Sequence, residues 1–132
     1  MIKVINTIIP FKGFKATTVF PFVFIRKDEK ERFDSVTENH EAIHYEQQLE
    51  MLVAGSLLAL LLYILTASLF CLLCFPLFFW WYLTEWALRA AFCTGNAYRN
   101  ISFEREAYDK ERDLCYLYRR PAFGWVRYMF NK

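Results

Sequence analysis

The sequence predicts a mainly α-helical membrane protein with a small N-terminal β-hairpin, and three observations carry that prediction. From residue 51 to residue 84 the chain reads MLVAGSLLALLLYILTASLFCLLCFPLFFWWYLT, with no Asp, Glu, Lys, Arg or His. An uncharged apolar run of that length reads as membrane-embedded. Immediately before it, residues 35–50 have helical composition and contain no proline or glycine. The first third, FKGFKATTVFPFVFIRKDE, is rich in β-branched and aromatic residues and is punctuated by Pro10, Gly13 and Pro21, the grammar of short strands. A chain of 132 residues has room for one domain and no second core.

Taken in order, residues 1–33 are predicted to form the β-hairpin. Pro21 lies inside the second strand, residues 17–26, and a proline belongs on a sheet edge, so that strand is predicted to be an edge. Ser35 followed by Glu38 is a capping-box spacing, which starts a helix over residues 35–66. Its second half is the first membrane limb. A turn is expected at residues 66–69 or at Pro76, and residues 70–94 form a second limb that Gly95-Asn96 ends. A further helix is predicted over residues 100–120, stopped by Pro121 and Gly124. The aromatic and basic tail, residues 121–132, suits a membrane–water interface.

Composition excludes several functions. A net charge of +2, with basic residues interleaved among acidic ones as in RKDEKER, offers no stripe for nucleic acid. The Cys71-x-x-Cys74 pair lies inside the apolar run and has no second pair with zinc-finger spacing, so both are read as small apolar residues. The N-terminus lacks an apolar core followed by a small-residue cleavage site, so no secretory signal peptide is expected and the chain starts in the cytoplasm.

Both histidines of the chain lie in one pentapeptide, His40-Glu41-Ala42-Ile43-His44. Residues four apart on a helix share a face, so both imidazoles reach one zinc ion. The adjacent Glu41 is placed to act as general base toward a water activated there. A catalytic zinc needs a third protein ligand. Glu50 has the spacing of the metzincin ligand, but Gln47 stands where that class needs a helix-breaking glycine. On an unbroken helix Glu50 then lies about 9 Å along the axis from His44 and cannot join the same coordination sphere.

The later segment Phe103-Glu104-Arg105-Glu106-Ala107-Tyr108-Asp109 matches Glu-x-x-Ala. With HEAIH, it resembles the downstream helix of gluzincin-type zinc metallopeptidases, in particular their membrane-embedded members. The resemblance implies zinc held by His40, His44 and Glu104, Glu41 as catalytic base, and peptide-bond hydrolysis. Glu106 stays open as the alternative third ligand. The family's usual aspartate is Tyr108 here, so the contact behind a ligand histidine falls to Asp109 or Glu106. Over most of its length the chain also resembles small, uncharacterised bacterial membrane proteins that share HExIH, QQLE and YRNxSFEREAY, and these supply no activity to transfer.

A shared metal requires His40, His44 and Glu104 to lie on one side of the bilayer, so the apolar run must enter and return. Shared between two limbs, it allows about 24 Å of helix each, against a hydrocarbon core of about 30 Å. A hairpin, spanning or re-entrant, is therefore expected. Lys27, Lys30, Arg32, Arg89, Arg99 and Arg105 flank it and place the site and both termini on the cytoplasmic side of a bacterial inner membrane. Glu85, level with about Gln48 in such a hairpin, either orients a ligand histidine or pairs with Arg89. Tyr98 or Tyr108 is available to stabilise an oxyanion. The edge strand, with Val19, Phe20, Phe22, Val23, Phe24 and Ile25, is expected to bind an extended membrane-near peptide by strand addition. The expected partners are lipid and that peptide, with no nucleic acid. The rival reading is a non-catalytic membrane protein with a structural metal or a partner-binding role.

Overall fold

A computed structural model describes residues 1–10, 13–93 and 95–130. It is mostly helical with a small N-terminal sheet. Three strands, β1 (Ile2–Asn6), β2 (Ala16–Val19) and β3 (Phe22–Arg26), form the sheet in the order β1-β3-β2. β1 runs parallel to β3, and β2 pairs with β3 as the antiparallel hairpin. A small N-terminal sheet is thus present, but its hairpin lies within the single strand predicted over residues 17–26, and the earlier strand joins in parallel. Residues 17–26 are two strands rather than one, because Pro21 sits in the turn between them, where its missing N–H costs nothing. This corrects the edge assignment. β3, with Phe22, Val23, Phe24 and Ile25, is the central strand with both sides paired, Phe20 is in the turn, and only Val19 lies on the edge strand β2.

Helix α1 (Ser35–Thr66) has the predicted bounds. Its cap is Asp34 rather than Ser35: the carboxylate accepts from Thr37 N–H at 2.8 Å and from the Thr37 hydroxyl at 2.7 Å. An anionic cap also complements the positive end of the helix dipole. Glu38, released from the capping box, pairs with Lys3 at 2.7 Å and ties β1 to α1.

The two halves of α1 differ in environment. Up to Met51 its inner face is buried, whereas beyond Met51 only Gly55 and Ala59 are. Leu57, Ile64 and Leu65 stand 64–71% exposed. Ala67, in a left-handed conformation (φ 52°), reverses the chain, and a 3-10 segment, Leu69–Cys74, returns along α1. Gly55 marks the closest approach, since a Cβ there would lie 2.3 Å from the Cys74 carbonyl oxygen.

Helix α2 (Leu77–Phe92) presents an inner stripe of Phe78, Tyr82, Glu85 and Arg89, spaced three to four apart. Its outer face, including Trp80, Leu83, Trp86 and Leu88, is exposed. Glu85 does not reach the histidines. The returning 3-10 segment rises about 2 Å per residue instead of 1.5 Å. That carries α2 further back along α1, and Tyr82 reaches the site in its place.

The predicted helix over 100–120 is two helices, α3 (Ser102–Lys110) and α4 (Tyr116–Arg119), and α5 (Arg127–Phe130) follows. The break has a partner in α1: the Asn39 side-chain amide donates to the Glu111 carbonyl at 2.9 Å and lies 3.2 Å from those of Lys110 and Asp113. Carbonyls freed at the end of α3 are thereby satisfied. Met51, Phe78, Ile101, Phe103 and Trp125 form the main core, where α1, α2 and α3 converge.

Candidate metal centre

His40 and His44 project from the buried face of α1 toward the first turn of α3, which carries Glu104. The two Nε2 atoms lie 3.1 Å apart. Glu104 Oε1 is 3.4 Å from His44 Nε2, and Oε2 is 3.7 Å from His40 Nε2. Ligand atoms 2.0–2.1 Å from a tetrahedral zinc would be separated by about 3.3 Å. The three groups lie close enough to share one ion, each offering an atom within 4.8 Å of the others.

Hydrogen bonds on the far side of each ring set which nitrogen faces the cluster. Gln47 Nε2 donates to the Phe103 carbonyl (3.1 Å) and to Glu106 (2.8 Å), which turns its Oε1 toward His44 Nδ1 at 2.8 Å. His44 therefore donates from Nδ1. The Glu111 carboxylate, 2.9 Å from His40 Nδ1, imposes the same tautomer on His40. Both Nε2 atoms then face each other and Glu104, whose Oε2 is buried with no hydrogen-bond partner among the described residues. Tyr82 donates to the other Glu104 oxygen at 2.9 Å, which leaves Oε2 and the two Nε2 atoms as an N,N,O set of the kind that suits zinc.

Without a metal, a proton on His44 supplies the positive charge in this cluster. Burial alone would lower the His44 pKa, but Glu104 outweighs it and raises His44 to about 9. Burial opposes ionisation of Glu104, yet His44 and His40 hold it well below the usual carboxylate range. Burial, reinforced by the Glu104 charge, pushes the Tyr98 phenol up, so it stays a hydrogen-bond donor.

Of the residues expected behind the ligands, Glu85 takes its second alternative, the pair with Arg89, and Glu106 and Asp109 make no direct contact with a histidine. Glu85 caps α3, accepting from Ser102 N–H (2.9 Å) and hydroxyl (2.6 Å), and pairs with Arg89 at 2.8 Å. Asp109 faces outward and accepts from the Tyr128 hydroxyl. Glu106 is turned away from the histidines, fully buried, and bonded by Arg120, Tyr116 and Gln47, so it meets His44 only through Gln47. Tyr108 lays its ring edge against His40, with centroids 4.7 Å apart.

Sequence reasoning missed four residues. Glu111 lies seven positions after Glu104, two turns further on the same face, a spacing that could have flagged it. Gln47 lies one turn after His44. Tyr82, which donates to Glu104 at 2.9 Å, and Thr18, which donates to Glu41 Oε2 at 2.7 Å, come from distant parts of the chain with no local signal.

Glu41 is 5% exposed and borders two cavities that meet at the cluster. β2 runs beside it. The Arg26 N–H bonds to the Lys15 carbonyl, so the ladder alternation directs the peptide groups of Ala16 and Thr18 away from β3. Gln48 occupies part of this edge, accepting from Phe20 N–H and donating to the Thr18 carbonyl, each at 2.8 Å. The Ala16 N–H and C=O and the Thr18 N–H lie on the same edge, turned from β3. No family model, curated protein or solved structure matches this chain.

Proposed function

We propose that the chain is a zinc-dependent peptidase working at a membrane surface. The observation that carries this reading is the convergence of His40 Nε2, His44 Nε2 and the unpartnered Glu104 oxygen beside the buried Glu41. His40, His44 and Glu104 would hold the ion, which when bound supplies Lewis acidity toward a carbonyl and toward water. Glu41 takes the proton of the attacking water and returns it to the departing amine. Thr18 holds one oxygen of Glu41, leaving the other for that transfer. Tyr98 lines both cavities as a protonated phenol and is a candidate donor to a developing oxyanion. The open peptide groups of Ala16 and Thr18 take an extended substrate by strand addition, so Val19 keeps its place in the substrate edge and the β3 residues lose theirs.

The apolar half of α1, about 24 Å long, and the returning segment form a hairpin too short to cross about 30 Å of hydrocarbon comfortably. One helix, α1, is long and apolar enough to cross a membrane. The bare surface of the hairpin supports insertion from one side, with α3 and the N-terminal sheet on that side. Flanking basic residues favour the cytoplasmic face.

The test is metal content of detergent-purified protein together with hydrolysis of a panel of quenched-fluorescent peptides that includes polar, apolar and mixed sequences. Wild type should carry zinc, His40→Ala and Glu104→Ala should lose it, and Glu41→Gln should keep zinc while losing hydrolysis by about two orders of magnitude or more. Wild type without zinc sinks the reading. Zinc that is retained without hydrolysis by wild type assigns the ion a structural role instead.

A further inference from the structure

The two cavities that meet at the metal cluster share Phe14, Ala16, His40, Glu41 and Tyr98 but differ in character. One, of about 470 Å³, is walled mainly by apolar groups, among them Ile8, Ile9, Phe78 and Phe79. The other, of about 370 Å³, is bordered by Lys15, Asp34, Thr37, Arg99 and Glu111. They lie in sequence along α1. The polar cavity reaches Asp34 and Thr37 at its first turn, and the apolar one reaches Gln48, three residues before the bare apolar half begins at Met51. From Thr37 to Gln48 is about 16 Å of helix.

β2 crosses the same boundary. Its start, beside Lys15, borders the polar cavity, and Val19 at its end borders the apolar one. A strand laid on this edge covers 16 Å with about five residues. The mouth of the apolar cavity carries Ile8 and Ile9, 76% and 46% exposed. That apolar rim continues the bare face of α2 at Phe79, so the cavity opens toward the surface proposed to meet lipid.

We propose that the substrates are peptides that cross the membrane–water boundary at the site, with an apolar segment on one side of the scissile bond and a polar segment on the other. The proposal rests on the peptidase reading and names its substrate class: the juxtamembrane stretch of a membrane-inserted chain. A uniformly polar peptide would strip water from its polar groups in the apolar cavity without replacing their hydrogen bonds. A uniformly apolar one would leave Asp34, Lys15, Arg99 and Glu111 facing hydrocarbon. Only a peptide that changes character near the bond satisfies both cavities.

The test uses three synthetic peptides of equal length, presented to the full protein in lipid nanodiscs. One joins a leucine- and alanine-rich half to a glycine-, serine- and glutamate-rich half, and the other two are uniformly apolar and uniformly polar. Zinc-loaded wild type should cut the mixed peptide near its junction, located by mass spectrometry, at least about tenfold faster than either control. Independently of hydrolysis, a photo-crosslinking amino acid placed at Phe79 in metal-free Glu41→Gln protein should label the apolar half, and one placed at Arg99 the polar half. Equal cutting of the three peptides by zinc-loaded protein overturns the substrate assignment and leaves the peptidase reading standing. Sorted crosslinks in a protein that neither holds zinc nor cuts preserve the cleft and remove the peptidase reading. Unsorted crosslinks overturn the proposal outright.

Discussion

At the scale of the residue, the site depends on groups that never touch the proposed ion. Gln47 and Glu111 each fix one imidazole with its Nε2 toward Glu104. Gln47 has a second duty, because its amide N–H is one of the donors satisfying the fully buried Glu106. Glu111→Ala is accordingly expected to weaken zinc affinity by about 10- to 100-fold while leaving the fold in place. Gln47→Leu should do the same and in addition lower stability by about 1–3 kcal/mol, because Glu106 and the Phe103 carbonyl each lose a donor. Zinc titration and thermal unfolding of the two variants, side by side, separate the two duties. Equal melting temperatures would show that the Gln47–Glu106 bond carries no stability.

At the scale of the element, the decisive contact is between α1 and the segment that returns beside it. Glycine at position 55 lets the Cys74 backbone approach where any Cβ would collide with a carbonyl oxygen, an obstacle that cannot rotate away. The same return sets how far α2 slides along α1, and so whether Tyr82 meets Glu104 and Glu85 meets the start of α3. Gly55→Ala is expected to destabilise by about 1–3 kcal/mol through overpacking. Zinc affinity should fall with it, although residue 55 lies eleven positions beyond His44. A Gly55→Ala protein with unchanged melting temperature and zinc affinity would show that the hairpin and the site are independent. Gly124 plays a comparable part beneath α3, where a Cβ would come within 2.6 Å of Glu106.

At the scale of the whole molecule, His44 and Glu104 join parts of the chain sixty positions apart, so their ionisation is linked to folding. Without metal, His44 titrates near 9 rather than at 6.5, so its contribution is complete below pH 6.5 and is lost as pH rises toward 9. Glu104 is shifted the other way, and its contribution is lost as pH falls below its unfolded value of 4.5. Metal-free protein should therefore melt at progressively lower temperature from pH 6.5 to 9. Zinc competes with the proton on His44, so its added stabilisation should grow over the same interval. Melting curves with and without zinc are expected to diverge as pH rises. Parallel curves would mean that the ion does not replace the proton on His44.

The sequence by itself determined the helical class, the bounds of α1 and the pairing of His40, Glu41 and His44, and it narrowed the chain reversal to residues 66–69 or Pro76. These are local matters, set by residues within one or two turns of each other. It also narrowed the third ligand to Glu104 or Glu106, which point to different sides of a helix. Only the tertiary structure distinguishes their surroundings, turning Glu104 toward α1 and occupying both oxygens of Glu106 with Gln47, Tyr116 and Arg120. It alone split residues 17–26 into an outer strand, β2, and a covered one, β3, because the covering strand β1 comes from residues that carry no sign of their partner. It alone brought Thr18 to Glu41 and Tyr82 to Glu104. Such contacts follow from how far a returning segment rises and which faces close on the core, and no spacing within a single element records either.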